Sequence, residues 1–338
     1  MNVLITGASG FVGADLTKKL IDEGYGVFAL VRDAKKLAKA VGPDYMGLIK
    51  VLEGDLLANR DLEKIEQQLK TSVGNLDIVA DLAGGGPLTA NRQKHSFATN
   101  FKTTANLMRV LENSNKLGSL SLFVYFSSLA AMGLPQGAGD HIHYDESTAC
   151  NPMLPLERGK LDSETSLKEY ASKYGFKVAC LRFPQIYGLA DAAFRQIVSL
   201  MKKGVFPVVR GRIGSLPLIH LRDCVSATCA VIRNANRMQN NFEVYLVCES
   251  SCSYRRLVEL VRKKYGQGGL MEIPYVVMYL GTSVVQRLFG FLGKPEPLNT
   301  RRLVSLTKDR TIDSSKFTKA FQFQFQESVE GFIANELP

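Results

Sequence analysis

Three glycines near the start of the sequence are spaced so that the backbone around them could bind phosphate groups. They are Gly7, Gly10 and Gly13, between an apolar, β-branched run (Met1 to Thr6) and a run with apolar residues at helical spacing (Ala14 to Ile21). This context predicts a buried strand, a tight turn and a helix. Gly7 permits the turn, Gly10 lets the backbone approach a pyrophosphate, and Gly13 lets the helix pack against the strand. Because the helix N-terminus offers free N–H groups to phosphates, we predict a dinucleotide site here.

The end of the second predicted strand indicates which dinucleotide would bind. The apolar run Gly26 to Val31 ends at Arg32 and Asp33. Sites for NAD usually have an acidic residue here that binds the adenosine ribose, whereas a guanidinium suits a 2′-phosphate. Arg32 is the first polar residue, and Lys35 and Lys36 follow closely. We therefore predict NADP(H) as the cofactor in preference to NAD(H); the alternative is an arginine solvated beside Asp33.

The glycine spacing, Gly-x-x-Gly-x-x-Gly, is similar to that of the short-chain dehydrogenase/reductase superfamily, and Gly-Ala-Ser-Gly-Phe-Val-Gly resembles its extended branch of epimerases, dehydratases and hydroxysteroid-type dehydrogenases. Alternating strands and helices predict a parallel α/β sheet with right-handed crossovers. The resemblance implies a Rossmann-type doubly wound parallel sheet with a smaller C-terminal substrate lobe. The NADP-binding domain would span 1–188, with 218–247 returning to it, and the lobe would span 189–217 and 248–338. Asp223 would cap the returning helix.

The resemblance also assigns cofactor contacts at the ends of later strands. After a third strand (Ile49 to Glu53), Asp55 would bind the adenine amino group and Leu56 would pack on the ring. The fourth strand, Leu76 to Gly84, would pass under the adenosine and pyrophosphate, and a long helix would run from Asn91 to Asn115. The complete predicted set of cofactor-binding residues is Gly7, Ser9, Gly10, Phe11, Val12, Gly13, Arg32, Asp55, Leu56, Leu82, Ala83, Gly84, Asn100, Lys160, Pro184 and Ile186.

In catalytic members of this family, a serine or threonine at the end of the fifth strand acts with a Tyr-x-x-x-Lys pair on the next helix. The fifth predicted strand, Leu120 to Ser128, ends in such a serine, and Lys160 falls at the lysine position. The resemblance implies that Lys160 holds the nicotinamide ribose and that Ser128 orients the substrate oxygen. The tyrosine position holds Leu156, which has no proton to give. Positioned acid–base groups contribute about 100- to 10,000-fold, so alcohol oxidation through this position would be slow.

Three explanations of Leu156 stay open. Another group could supply the proton, either His141, His143 or Tyr144 in a segment predicted to be flexible, or Tyr187 after the sixth strand. The protein could instead bind NADP(H) without hydride transfer, or it could catalyse a cyclisation or isomerisation. We predict an NADP(H)-dependent oxidoreductase acting on an apolar hydroxy or keto compound. Its predicted catalytic residues are Ser128, Lys160, Tyr144 and His143.

Charge and cysteine content restrict the partners and the compartment. The chain of 338 residues has a net charge of +10, but its Lys and Arg residues are scattered, whereas a nucleic-acid site would cluster them on one face. An anionic cofactor, substrate or membrane surface accounts for the excess, so we predict no nucleic-acid partner. The six cysteines lack Cys-x-x-Cys spacing. This favours reduced thiols in a cytoplasmic protein without a metal site, and the early first strand argues against a signal peptide.

A hydrophobic segment from Ile273 to Gly293 carries a single charge, that of Arg287. A transmembrane helix needs about 20 consecutive apolar residues, and Pro274, Gly281 and Gln286 interrupt this segment. We expect it to form a lid or wall over the substrate pocket, with contact to a membrane surface as a further role. The family resemblance also allows a homodimer that pairs two long helices from each chain.

Overall fold

The structure is a computed structural model that describes residues 1–84, 98–137, 139–212, 214–292, 300, 303–304 and 307–337. The described strands are Asn2–Thr6 (β1), Gly26–Val31 (β2), Ile49–Glu53 (β3), Ile78–Asp81 (β4), Leu122–Ser128 (β5), His141–Tyr144 (β6), Lys177–Phe183 (β7), Gln185–Tyr187 (β8), Phe206–Val209 (β9), Ser215–His220 (β10), Phe242–Leu246 (β11), Ser250–Ser253 (β12), Leu270–Ile273 (β13) and Asp309–Ile312 (β14). The described helices are Phe11–Asp22 (α1), Ala34–Val41 (α2), Pro43–Met46 (α3), Asn59–Ser72 (α4), Thr103–Asn113 (α5), Pro155–Tyr174 (α6), Ala192–Lys202 (α7), Leu221–Arg233 (α8), Tyr254–Tyr265 (α9), Tyr275–Phe291 (α10), Ser315–Phe321 (α11) and Val329–Asn335 (α12).

Seven strands form one sheet in the order β11-β7-β5-β4-β1-β2-β3, and each neighbouring pair is parallel. The chain builds outward from β1 to β3 and then in the other direction from β4 to β11. The strand order therefore reverses between β1 and β4, which end at Thr6 and Asp81. Ligands of open α/β sheets bind beyond the strand ends at such a reversal. The predicted parallel α/β fold is confirmed.

The large sheet is buried on both faces because its strands consist mainly of apolar residues. Val3 and Ile5 point to the face covered by α1 and α8, whereas Leu4 between them points to the face covered by α4, α5 and α6. This alternation follows from the two-residue period of a strand. Full burial of one such side chain stabilises a fold by roughly 1.5–3 kcal/mol, so the two layers hold the strand ends in fixed positions.

The other described strands form three smaller sheets, with the strand orders β12-β10-β8, β13-β9 and β14-β6. β6 pairs in parallel with β14, so that His141 lies opposite Asp309 although 168 residues separate them. Residues 141–144 are therefore not the flexible segment that we expected. Ile142 and Tyr144 are buried on one side of β6, and the two histidines are exposed on the other. The strand escapes local prediction because its partner is so distant in the chain.

The boundaries of the other elements follow the predictions with small shifts. The predicted second and third strands coincide with β2 and β3. β4 and β5 begin at Ile78 and Leu122 rather than at the predicted Leu76 and Leu120. Of the predicted helix from 91 to 115, residues 98–102 form a π-helical turn and 103–113 form α5, while 91–97 lie outside the described residues.

The predicted cap of α8 is wrong. The helix begins at Leu221, and its N-cap is His220, whose ring nitrogen accepts the N–H of Arg222 at 3.3 Å. The Asp223 carboxylate is buried and instead accepts the backbone N–H of Gln326 at 3.0 Å. A buried acid with a backbone donor so far along the chain could not be recognised from its neighbours in sequence.

Candidate active site

The turn after β1 brings backbone against backbone at its glycines. Gly7 has a φ of +69°, and a Cβ there would lie 2.9 Å from the Leu82 carbonyl group, so a side chain would not fit. A Cβ on Gly13 would lie only 2.2 Å from the Gly7 carbonyl oxygen. Gly10 donates its N–H to that oxygen at 2.9 Å and is the N-cap of α1. The first N–H groups of α1, from Phe11 onward, are therefore available to a phosphate.

A buried carboxylate, that of Asp81, supports the glycine turn from the end of β4. It is 1% exposed and accepts hydrogen bonds from the hydroxyls of Thr6 at 2.5 Å and Thr104 at 2.7 Å. The Thr6 hydroxyl oxygen in turn accepts the N–H of Ala83 at 3.0 Å. Burial raises the Asp81 pKa, and the two hydroxyl donors oppose that rise. Sequence analysis missed this residue, whose only signal was an acid at the end of an apolar strand.

Lys160 on α6 directs its ammonium group at the ends of β4 and β5. Its Nζ donates to the Phe126 carbonyl oxygen at 2.6 Å and lies 4.8 Å from the centre of the Tyr125 ring. A Cβ on Gly84 would lie 3.5 Å from this Nζ and 2.6 Å from Oδ1 of the buried Asn100. The structure therefore brings together Gly84, Asn100 and Lys160, three of the predicted cofactor residues.

The charge of Lys160 is held in a largely dehydrated position. Burial lowers the pKa of its ammonium group to about 8, and the carboxylates of Asp81 and Glu164 limit the fall. The group is therefore charged at neutral pH. It loses its proton at a pH at which an ordinary lysine, with a pKa near 10.5, stays charged.

One helical turn beyond Lys160, Glu164 forms a buried ion pair with Arg182 of β7. Nε and Nη2 of the arginine donate to the two carboxylate oxygens at 3.0 and 2.6 Å. The Ser127 hydroxyl donates to the same carboxylate at 2.5 Å. Two parallel N–H···O bonds fix the relative orientation of the two side chains. The pair therefore holds α6, and with it Lys160, against the ends of β5 and β7.

A cavity of about 260 Å³ lies at the carboxyl ends of β5 and β7. It brings together Ser128, Tyr144, Leu156 and Pro184, which the sequence analysis singled out. Most of the remaining lining is apolar. The other lining residues are Leu129, Ala130, Gly133, Leu134, Leu154, Glu157, Gln185, Leu216, Pro217, Arg310 and Ile312.

Two of the described lining residues, Ser128 and Tyr144, carry hydroxyl groups. Ser128 Oγ accepts the N–H of Ala130 at 3.1 Å, which fixes the side chain at the start of a 3₁₀ turn. The Tyr144 hydroxyl donates to the Gly133 carbonyl oxygen at 3.1 Å. Leu156 supplies hydrocarbon to the same lining. Both hydroxyls therefore belong to residues that line the cavity, whereas Leu156 has no proton to donate.

The other three candidate proton donors are not among the described residues of the cavity lining. His141 is exposed, and its Nδ1 is 3.1 Å from Asp309 Oδ2. His143 is exposed, and its Nδ1 is 3.0 Å from the hydroxyl of Thr311. It faces away from Tyr144 because successive residues of a strand point to opposite faces. Tyr187 is fully buried, and its hydroxyl donates to Glu249 Oε2 at 2.9 Å.

The residues after β2 have different roles. Asp33 is the N-cap of α2, and its Oδ1 accepts the backbone N–H of Lys35 at 2.8 Å and of Lys36 at 3.1 Å. Arg32 is exposed at the strand end, as are the two lysines. Asp33 thus caps the helix, and three exposed basic residues lie just after the end of β2.

The side chains of several predicted cofactor residues pack into the protein core, and two other predicted residues lie in turns. Leu56 is 5% exposed and lies in the core, whereas the resemblance implies a contact with the adenine ring. Asp55 accepts the N–H of Leu57 at 2.9 Å within a turn. The Phe11 ring lies beside Gly188, because a Cβ added to Gly188 would be 3.3 Å from Cζ of Phe11. Ser9 is partly exposed in the glycine turn. Three more side chains pack against the core: Val12, Leu82 and Ile186.

Sequence analysis missed two charged residues of the cavity lining. Arg310 reaches it from β14, and its Nη2 donates to the Ser215 carbonyl oxygen at 2.8 Å. Glu157 accepts the backbone N–H of Met153 and Leu154 at 2.8 and 3.1 Å and so caps α6. No local signal marks Arg310, because its place depends on the pairing of β14 with β6.

Comparison with known proteins identifies the family. The model of the NAD dependent epimerase/dehydratase family matches residues 3–248 of this chain. The chain belongs to this family. The matched residues of the epimerase/dehydratase family include the glycine turn, Ser128, Lys160 and β11. The predictions of an extended short-chain dehydrogenase/reductase and of a nicotinamide-dependent enzyme are thereby confirmed.

Relatives in the epimerase/dehydratase family carry names of two kinds. The sterol-4-alpha-carboxylate 3-dehydrogenase, decarboxylating, of Dictyostelium discoideum is 26% identical over 93% of this chain and 91% of its own length. A 3-beta-hydroxysteroid dehydrogenase of Mycolicibacterium neoaurum is 28% identical over 62% of this chain and 54% of its own. An uncharacterized UDP-glucose epimerase of Bacillus subtilis is 26% identical over 69% of this chain and 72% of its own.

Solved structures share the fold of this epimerase/dehydratase family member. A UDP-glucose 4-epimerase from Thermotoga maritima superposes with a TM-score of 0.72 at 17% identity, over 99% of this chain and 96% of that one. A UDP-glucuronic acid 4-epimerase from Bacillus cereus, in complex with NAD, gives 0.70 at 18% identity, over 99% and 95%. The Rossmann-type fold is confirmed.

Proposed function

We propose that the protein is an NADP(H)-dependent oxidoreductase acting on an apolar hydroxy or keto compound. The observation that carries the proposal is the cavity at the ends of β5 and β7, where the hydroxyls of Ser128 and Tyr144 line an otherwise mainly hydrocarbon wall. The dinucleotide would lie against the glycine turn in a domain over 1–188. The substrate would be held by a lobe over 189–217 and 248–338.

Each residue around the cavity would have its own role in the reaction. A bound nicotinamide would supply or accept the hydride. Lys160 would hold the ribose hydroxyls through its ammonium group. Ser128 would hold the substrate oxygen, and Tyr144 would exchange a proton with it, because Leu156 cannot. For this step the Tyr144 hydroxyl would exchange its bond to the Gly133 carbonyl oxygen for one to the substrate.

The cavity favours an apolar substrate that also carries an acidic group. Arg310 contributes a guanidinium to a lining dominated by leucine, proline and isoleucine side chains. Guanidinium groups pair well with carboxylates and phosphates. The name of the Dictyostelium relative combines a sterol with a carboxylate, which supports this substrate class. The relatives named for UDP-glucose would place a diphosphate near the same charge.

The direct test is a stopped-flow measurement of NADPH absorbance with the full-length protein. The panel contains a neutral 3-ketosteroid and a ketosteroid with a carboxylate on its side chain. In a separate arm, UDP-glucose with NAD⁺ is followed by chromatography of the sugar nucleotides, because epimerisation causes no net change in the cofactor. We expect oxidation of NADPH by the steroids, faster with the carboxylate. Tight binding of NADPH without oxidation by any ketone would contradict the proposal, and turnover of UDP-glucose alone would replace the substrate class.

Leu156 favours a second candidate, a redox-silent NADP(H)-binding protein or a non-redox cyclase or isomerase. A hydrocarbon in the cavity at this position suits a step that needs no proton relay there. Mass spectrometry and chromatography of the same incubations separate the two cases. An isomerised or cyclised product with unchanged NADPH would support the second candidate.

Arg32→Ala is expected to raise the Kd of NADP⁺ about tenfold and to leave that of NAD⁺ within about twofold. The guanidinium would bind the 2′-phosphate, and a hydrogen bond to a charged group contributes roughly 1.5–3 kcal/mol. Isothermal titration calorimetry measures both affinities. Arg256→Ala, which removes an arginine 52% exposed on α9, is the matched control and should change neither. Equal losses for both dinucleotides at Arg32→Ala would argue against an NADP preference.

The affinity for NADP⁺ is expected to fall by roughly tenfold as the pH rises from 7 to 9.5. Burial lowers the Lys160 pKa to about 8, so the ammonium group loses its charge, and a charged donor to the ribose, within this interval. Calorimetric titrations at several pH values check this. Lys160→Arg keeps the charge and should bind with little pH dependence. A flat profile for the native protein would show that Lys160 does not contact the cofactor.

A further inference from the structure

Helix α10 (Tyr275–Phe291) leaves an unusually large apolar surface open to solvent. One narrow face rests on the protein, at Met278, Thr282, Val285 and Phe289, which follow one another at steps of three or four residues. Ser283 and Gln286 are partly buried too, and the other residues of the helix are exposed. Val276 is 65% exposed, Leu280 58%, Leu288 56% and Phe291 91%. Isolated exposed hydrophobic residues need no explanation, but a continuous apolar surface indicates a binding site.

The chemistry of α10 is that of a helix lying at a lipid interface. It contains no aspartate or glutamate, and its one charged residue is Arg287. Tyr275 and Tyr279 lie together in its first turns, with ring centres 5.8 Å apart, and both are about 40% exposed. Tyrosine side chains favour the boundary between hydrocarbon and water because the ring is apolar and the hydroxyl is polar.

The helix is too short to cross a bilayer. Its 17 residues span roughly 25 Å at 1.5 Å per residue, against a hydrocarbon thickness of roughly 30 Å. Across the described part of the chain, no helix has the length and hydropathy of a membrane span. A helix of this kind can instead lie in the plane of the interface with its apolar side in the lipid.

The charges near the start of α10 complement an anionic surface. Arg210 donates its backbone N–H to the Ile273 carbonyl oxygen at 2.9 Å, which places it beside the beginning of the helix. Glu272 of β13 lies 3.9 Å from Arg255, so this acid is accompanied by a cation. The whole chain carries a net charge of +10. Juxtamembrane basic residues attract the anionic lipids of a membrane leaflet.

We propose that α10 docks this protein on the surface of an anionic phospholipid bilayer, with the exposed side chains of Val276, Leu280, Leu288 and Phe291 in the lipid. The helix also connects to the cavity wall. Gln286 Oε1 accepts the N–H of Thr300 at 3.4 Å, and the chain then continues into β14, which lines the cavity. Docking would therefore hold the cavity near the lipid bilayer, in which an apolar substrate is concentrated.

Flotation of the full-length protein with vesicles tests the docking. The vesicles are phosphatidylcholine alone or phosphatidylcholine with 30% phosphatidylglycerol, with and without added salt. We expect binding to the anionic vesicles, less binding to the neutral ones, and a decrease with salt. No binding to either kind of vesicle would overturn the proposal.

A matched pair of variants tests the surface. Leu280→Glu with Phe291→Glu should weaken vesicle binding about tenfold or more, because two side chains leave the lipid. Leu48→Glu with Val205→Glu changes the net charge equally, at residues 62% and 45% exposed elsewhere, and should keep binding close to native. Unchanged thermal melting and NADP⁺ affinity establish that both variants fold.

Two results would contradict the assignment. If both double variants lose vesicle binding equally, net charge, and not α10, attracts the protein to the vesicles. A concentration-dependent dimer in light scattering that only the α10 pair dissociates, with no vesicle binding, would assign this surface to a second copy of the chain.

Discussion

Arg182→Met is expected to lower the free energy of unfolding by about 3–5 kcal/mol, because it leaves the Glu164 carboxylate buried without its partner. Both side chains are nearly inaccessible, at 5% and 3% exposure. Urea unfolding followed by circular dichroism measures the change. The effect should extend to the site, since the ion pair holds α6 and Lys160 in place.

The matched control is Arg222→Met. Arg222 also pairs with a glutamate, Glu327, at 2.5 Å, but it is 56% exposed. Solvent-exposed pairs contribute up to about 1 kcal/mol, so the loss should be small. Adding Glu164→Leu to Arg182→Met should recover stability, because no buried charge is left unpaired. Similar losses for Arg182→Met and Arg222→Met would show that burial does not determine the contribution of the inner pair.

Tyr144→Phe is expected to lower kcat about 100-fold or more, while the KM for NADPH stays within about twofold. The change removes one hydroxyl from the cavity lining and keeps the ring, so it isolates the proton exchange. Steady-state oxidation of NADPH, with the best substrate from the steroid panel, gives both constants. His143→Ala should behave as the native protein, because this histidine is exposed on the opposite side of β6.

A second substitution shows whether the position of the proton donor can be moved. Leu156→Tyr places a hydroxyl in the cavity lining, one helical turn before Lys160. In the Tyr144→Phe background it should restore at least part of the lost kcat. If His143→Ala is the inactive variant and Tyr144→Phe is active, the proton comes from the histidine. If Leu156→Tyr creates activity where the native protein has none, the protein is not a conventional reductase.

The parts that local sequence predicted well are those that local interactions determine. β2 is an apolar run after Gly26, β3 has three apolar residues among its five, and the limits of both were predicted to the residue. Gly7 and Gly13 have close backbone neighbours within the turn or at the end of β4, and their spacing between a strand and a helix indicated the turn. The parallel arrangement of the large sheet followed from the alternation of strands and helices.

The parts that were missed depend on contacts between distant segments. The role of Asp81 as an acceptor for the Thr6 hydroxyl depends on the pairing of β1 with β4, which the sequence alone does not show. Arg310 enters the cavity lining because β14 pairs with β6. The choice between His143 and Tyr144 required knowledge that both lie in a strand, where adjacent residues face opposite ways. Sequence analysis placed them in a loop and so treated them alike.

The pairing of β6 with β14 joins the part of the chain that the family model matches to a part that it does not match. The family match ends at residue 248, whereas β14 begins at Asp309. The glycine turn and Lys160 thus lie in the matched part, while Arg310 and Ile312 enter the cavity lining from beyond it. Substitutions at Arg310 and Ile312 would therefore change the cavity lining without changing any residue of the matched part.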